Sequence, residues 1–352
     1  MECNRMKIAI VTDAWSPQIN GVVYTLKKTI SELTCMGHQV AIINPSDFMT
    51  FPMPGYPEIR LSLFPGRKMS RMLDVFRADA IHISTEGPLG KAARNYCLKH
   101  GLQYTSAYHT RFPEYLRLRI PVPLSWSYSY MRRFHNSSSA TMVATASLET
   151  ELHDRGFINL KRWSRGVDTD LFRPLKKNKS TGERPVAVYL GRVAIEKNIR
   201  AFLDLDISVS KHIIGDGPAM NELKDQYTDI HIAGYKTGEN LVAHLASADV
   251  MVFPSLTDTF GLVLIEAMAC GVPVAAYPVT GPKDIIENGV NGWVDGDLAY
   301  AIEKALAVSP QSCRSFAEKF SWERATRQFA SNLVLLRNQV NSAPLSFEAE
   351  SS

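Results

Sequence analysis

The chain has 352 residues, 45% hydrophobic and 21% charged, with a formal net charge of +4. It is too long for one ordinary core, comfortable for two domains of about 170 residues each, and too apolar for a disordered or fibrous protein. Five scattered cysteines (Cys3, Cys35, Cys97, Cys270 and Cys313) form no C-x-x-C pair, which argues against a disulfide framework or zinc cluster and fits a reducing compartment.

The opening KIAIVTD is a short β-branched apolar run and reads as a buried parallel strand. GVVYTLKKTISELTCMG follows as a helix, with Val23, Leu26, Ile30 and Leu33 at helical spacing and Gly37 as its stop. HQVAIINP and DAIHIS are further strands, PLGKAARNYCLKHG a helix, and QYTSAYHT and ATMVATA two more strands. FRPLKKNKSTGERP (172–185) is charged and aperiodic and reads as a linker. The rhythm then restarts with PVAVYLGR, KHIIGDG, DIHIAG, DVMVFPS and VPVAAYP as strands, and VLIEAMACG as the clearest helix. The expectation is an α/β protein of two Rossmann-like domains facing a cleft: 1–171, a linker 172–185, 186–325, then a C-terminal helix and frayed tail over 326–352.

Nothing at the start resembles a secretory signal, and no run approaches the roughly 18 apolar residues of a membrane span, so a cytoplasmic chain is expected. No H-E-x-x-H is present, and no G-x-G-x-x-G follows the first strand, which disfavours a metalloprotease and a dinucleotide dehydrogenase. Charge is uneven: residues 1–175 hold 22 Lys plus Arg against 14 Asp plus Glu, the remainder 17 against 21. The basic half thus faces something anionic, with a phospholipid surface, an acidic acceptor and a nucleic acid as candidates.

Two stretches suit a diphosphate. In GRVAIEKN, Gly191 ends a strand, and Arg192 and Lys197 place two cations above the sheet, unless both are merely solvated. In FPSLTDTFGLVLIEAMACGVPV a strand enters a polar turn and then a helix starting near Phe260. There the amides of Phe260, Gly261 and Leu262 would form an anion site. Asp258 is a candidate N-cap, whereas Glu266, among Ile265, Ala267 and Met268, needs a partner such as a sugar or ribose hydroxyl.

These blocks resemble family 4 retaining glycosyltransferases of the GT-B fold, and the resemblance covers nearly the whole chain. It implies hexose transfer from a GDP- or UDP-linked donor, with no metal and no other cofactor. The family's pair of acids, with seven residues between them, corresponds to Asp258, in place of the more usual Glu, and Glu266. Asp258 would contact the transferred sugar and Glu266 the ribose, while Arg192, Lys197 and the amides after Thr259 would cradle the diphosphate. Gly215 and Gly217 match the turn below the donor, and Gly234 and Tyr235 the segment that holds the base. In the first domain Asn20, Gly21 and Val22 would approach the phosphates, and YHTRFPEY would carry the active-site histidine, His109. Asp168 and Asp170 mimic a metal-binding D-x-D but fall in a segment that resembles the family's hinge-side loop.

Relatives with TDAW-PQ-NGVV openings resemble glycolipid-forming transferases, which points to a lipid acceptor such as diacylglycerol and not to nucleic acid. The stretches 64–77 and 111–134, where cations alternate with aromatic and aliphatic residues, suit peripheral attachment to the inner face of an anionic membrane, or equally two amphipathic core helices. A polysaccharide transferase, a nucleotide-sugar epimerase and a non-catalytic relative stay open.

Overall fold

The computed structural model describes residues 5–53, 56–117, 122–176 and 184–336. In chain order the first lobe holds β1 (Lys7–Val11), β2 (Gln39–Ile43), β3 (Thr50–Met53), β4 (Tyr56–Ser62), β5 (Ala80–Ile83), β6 (Thr105–Ala107), β7 (Ala140–Val143) and β8 (Leu160–Arg162). Six of these form a parallel sheet in the order β2-β1-β5-β6-β7-β8, while β3 and β4 pair separately as an antiparallel hairpin. The second lobe holds β9 (Val186–Leu190), β10 (Ser210–Ile214), β11 (His231–Gly234), β12 (Val250–Phe253), β13 (Val274–Ala276) and β14 (Gly292–Val294), in the order β11-β10-β9-β12-β13-β14.

Both sheets are covered by helices, so their central strands are buried on both faces; β9 and β12 are apolar, while β5 and β6 bury His82, Thr105 and Ser106 as well. Successive residues of β1 serve opposite faces. Ile8 and Ile10 pack with Leu26, Leu33 and Trp163, while Ala9 and Val11 pack with Met69, Leu73 and Ala93. The helix Gly21–Cys35 is the one anticipated, with Gly37 beyond it at φ +88°. The hairpin β3–β4 and the short β8 and β14 were not anticipated as elements, whereas the helix Gly66–Phe76 falls in the stretch 64–77 that was read as either a membrane-facing segment or an amphipathic helix.

Of the linker expected at 172–185, only 172–176 and 184–185 are among the described residues. Val167 and Phe172 already lie in the second lobe's core beside Met268 and Phe316. Residues 177–183 lie outside the described residues, as does the tail from 337. The chain returns through the helix Trp322–Asn332, which packs on the first sheet: the Phe329 and Trp163 rings stand 4.8 Å apart, and Ser164 N–H donates to Gln328 Oε1 at 2.8 Å. No helix of the described residues is long and apolar enough to cross a membrane.

Candidate active site

In each sheet two neighbouring strands are not consecutive in sequence, β1 with β5 and β9 with β12. Parallel sheets open a crevice at the carboxyl end of such a switch point. The two crevices face one another. A Cβ placed on Gly21, at the start of the helix after β1, would lie 3.5 Å from Cδ1 of Leu262, at the start of the helix after β12.

Lys197 and Asp258 meet at the β9/β12 crevice, Nζ to Oδ2 at 2.8 Å, with side chains 21% and 14% exposed. Burial opposes ionising Asp258, but the Lys197 ammonium and the amides of Thr259 and Phe260 hold its carboxyl below the usual range. Those amides donate to Asp258 Oδ1 at 2.8 and 3.3 Å. This corrects the expected cradle in one respect: Asp258 itself takes the Phe260 N–H, and the helix begins two residues later, at Leu262. The cause is Gly261, whose φ of +81° is left-handed and no part of a helix.

Glu266 lies one turn inside that helix. Its carboxylate accepts no hydrogen bond from the described residues, and burial pushes its pKa up to about 7. Its electrostatic neighbours include Tyr24 of the facing helix, over whose ring Lys28 Nζ sits at 5.9 Å from the centroid. Lys28 also pairs with Asp168 at 2.9 Å, so the first acid of the D-x-D mimic is engaged in an ion pair between side chains.

The glycine-rich turns form one backbone unit under this crevice. Gly191 N–H donates to Ile214 O, Gly215 N–H to Gly234 O, and Val193 N–H to Asp216 O, all within 3.0 Å. A Cβ on Gly215 would fall 1.9 Å from the Gly191 carbonyl oxygen, at φ +144°, so only glycine fits there. Gly217 abuts Val193, Arg192 is half-buried with its carbonyl bonded by Tyr189 Oη at 2.7 Å, and Tyr235 is exposed. Across the cleft, Asn20 caps its helix by accepting from the amides of Val22 and Val23, both at 3.0 Å. The Val22 amide is therefore engaged locally in this state.

His109 is placed differently from a side chain projecting into a cleft. Its ring is buried against Trp163, Nδ1 accepts from Arg165 Nη2 at 3.3 Å, and Nε2 has no partner. Burial, then the charge of Arg165, drives its pKa well below 6.5, so it is neutral at pH 7. Its main-chain carbonyl accepts from Thr259 Oγ1 at 2.8 Å, and this is what His109 offers the second lobe. Replacing His109 by Gln is therefore expected to lower kcat without altering the shape of the pH–rate profile between pH 6 and 8; loss of a limb in that profile would show that the imidazole titrates during turnover.

Two residues that the sequence did not single out reach the site from the same segment. Arg111 donates to the Asp258 carbonyl at 3.1 Å, and Tyr115 bonds Thr257 and stands beside Lys197 and Asp258. Arg111 had been counted among the membrane-suited cations of 111–134, but it is buried and paired with Glu151. Spacing within RFPEY gives no sign that one cation faces inward.

Comparison with known proteins gives matches over both lobes. Residues 19–171 match the model for Glycosyltransferase Family 4, and residues 184–309 the model for Glycosyl transferases group 1. A GDP-mannose-dependent alpha-mannosyltransferase of Corynebacterium glutamicum is 27% identical over 82% of this chain and 76% of its own length. An alpha-monoglucosyldiacylglycerol synthase of Streptococcus pneumoniae is 26% identical over 87% of this chain and 79% of its own. Among solved structures, Anabaena HepE in complex with UDP and glucose superposes with a TM-score of 0.68 at 16% identity, covering 93% of this chain and 99% of that one.

Proposed function

The chain is a family 4 glycosyltransferase with the two-lobed GT-B fold, and from that premise we propose that it transfers a hexose from a nucleotide-diphosphate donor to a membrane lipid such as diacylglycerol, with retention of anomeric configuration. The observation that carries the donor half is the Lys197–Asp258 pair at the switch point of the second sheet, with Glu266, which accepts no hydrogen bond from the described residues, on the helix that follows. Lys197 and Arg192 neutralise charge developing on the departing diphosphate, Asp258 holds the sugar, and Glu266 accepts from the ribose hydroxyls. The diphosphate takes the acceptor's proton on the same face of the sugar. No carboxylate nucleophile and no metal enters this reading.

The lipid half is supported by the likeness to an alpha-monoglucosyldiacylglycerol synthase and by the surface of the first lobe. The helix Gly66–Phe76 buries Met69 and Leu73 and exposes Arg67, Lys68 and Arg71. Around it Phe64 is 95% exposed, Met49 80% and Val75 76%. A groove of about 980 Å³ lies between this helix and the edge strand β2, lined by Lys7, Arg67, Lys68, Arg71, Met72 and Phe76. It lacks the acid-beside-cation arrangement of the cleft and is not the donor site.

The test of the activity is turnover with GDP-mannose and UDP-glucose against diacylglycerol vesicles, a soluble glucan and no acceptor. A lipid glycoside with an α-anomeric signal by NMR supports the proposal. Product on the glucan alone supports the polysaccharide reading, and free sugar without acceptor supports the epimerase. Attachment is tested by co-sedimentation with anionic vesicles. The variant with Arg67, Lys68 and Arg71 all changed to Ser should bind weaker, each cation near an anionic surface being worth about 1 kcal/mol. At 1 M salt, where the Debye length is about 3 Å, wild-type binding should fall too. Wild-type indifference to anionic vesicles at low salt would remove the membrane from the proposal.

A further inference from the structure

Outside the donor crevice the two lobes meet along a polar seam. Two segments of the first lobe, 109–111 after β6 and 145–147 after β7, bond two segments of the second, 258–259 after β12 and 280–284 after β13. Thr145 Oγ1 donates to the Thr259 carbonyl at 3.4 Å, and the Ser147 amide to Asp284 Oδ1 at 2.8 Å. The central member is Arg111, only 8% exposed. Glu151 holds the end of its guanidinium through both terminal nitrogens, with Nη1 to Oε1 at 3.1 Å and Nη2 to Oε2, and Glu114 adds a third contact at 3.5 Å. The remaining donors point across the seam, Nε to the Asp258 carbonyl at 3.1 Å and Nη2 to Thr280 Oγ1 at 2.8 Å.

We propose that Arg111 is a positioning residue that couples lobe closure to the placement of Asp258. A guanidinium is a rigid fork of five donors, so holding its Nη1/Nη2 edge on Glu151 fixes where the remaining donors point. The bond to the Asp258 carbonyl, beside that of Thr259 Oγ1 to the His109 carbonyl, ties consecutive residues of the acid loop to the first lobe. When the lobes part, both residues lose these partners together. The loop is then free to move, and with it the carboxylate that pairs with Lys197. Closure and assembly of the acid beside the donor are therefore one event. The inference rests on the proposed role of Asp258 at the sugar, and adds how that residue is brought into place.

The test uses the full chain and three variants. Thr280→Val removes a neutral partner on the far side and leaves Arg111 paired with Glu151, so it keeps the fold where Arg111→Ala could lose it. Arg111→Lys keeps the charge but cannot span Glu151, Asp258 and Thr280 at once. Asp258→Ala reports on the underlying reading. For Arg111→Lys we expect kcat to fall about tenfold or more, the usual cost of a misplaced reacting group, and for Thr280→Val a smaller fall. UDP and GDP affinity by calorimetry should stay within about twofold, because the diphosphate sits on the second lobe. Small-angle scattering of both variants should show a larger radius of gyration than wild type. Wild-type kcat and scattering in both variants, with Asp258→Ala inactive, would overturn the coupling and leave the role of Asp258 standing. A fully active Asp258→Ala would remove the reading beneath it. Nucleotide affinity lost in step with kcat would make Arg111 part of the donor site and not a closure residue.

Discussion

Glu266→Gln is expected to cost about 10- to 100-fold in kcat/KM for the donor and, above pH 7, to raise the melting temperature of the unliganded protein. Both effects follow from one carboxylate that burial drives up to about 7 and that no described residue bonds. A charged acceptor to a ribose hydroxyl is worth about 1.5–3 kcal/mol, which sets the kinetic loss. The stability gain has a definite sign. The acid is harder to ionise folded than unfolded, so between its ordinary value near 4.5 and about 7 the folded state binds more protons, and stability falls as pH rises through that window. Gln removes the cost, so the two proteins should melt alike below about pH 4 and diverge in favour of the variant by pH 8. In wild type, kcat/KM for the donor should decline as pH drops through about 7, and this limb should be missing in the variant. A variant less stable than wild type at pH 8 would mean that Glu266 has a partner in the unliganded fold and is a structural residue.

Much of this site was legible before any coordinates, because its signals are local. The strands are short apolar runs, and Gly215 and Gly261 punctuate turns whose conformations few other residues accept. Glu266 stood out because a carboxylate flanked by Ile265 and Ala267 conflicts with its neighbours, and such conflicts gather at functional positions. What escaped depends on pairing across the chain. Arg111 reads as one more basic residue in a basic segment until Glu151 and Asp258, 40 and 147 residues away, are seen to converge on it. The packing of Val167 and Phe172 in the second lobe's core escaped for a related reason: their partners Met268 and Phe316 lie far along the chain. His109 was singled out by the resemblance of YHTRFPEY, yet neither the inward turn of its ring nor the use of its carbonyl is written in residue type.

Lys197→Ala should lower turnover by about 100- to 1,000-fold, the range seen when a preorganised group facing developing negative charge is removed. The structure adds a stability cost that a solvated cation would not carry. Lys197 is one half of a largely buried pair, and deleting it leaves Asp258 held by two amides with no countercharge. Breaking one side of such a pair costs about 1–3 kcal/mol, between the values for exposed and fully buried pairs. A cycle with Asp258→Asn separates the two roles. Asn removes the charge that Lys197 balances, so Lys197→Ala in that background should cost less stability than in wild type. The kinetic loss should persist, because the diphosphate still lacks its cation. If Lys197 served only to hold Asp258, the double variant would turn over no more slowly than Asp258→Asn alone. Melting curves and donor kinetics on these four proteins therefore distinguish a cation that supports the acid from one that also meets the leaving group. In the proposed reaction one residue does both, because an ammonium has three donors and the 2.8 Å contact to Asp258 uses one of them.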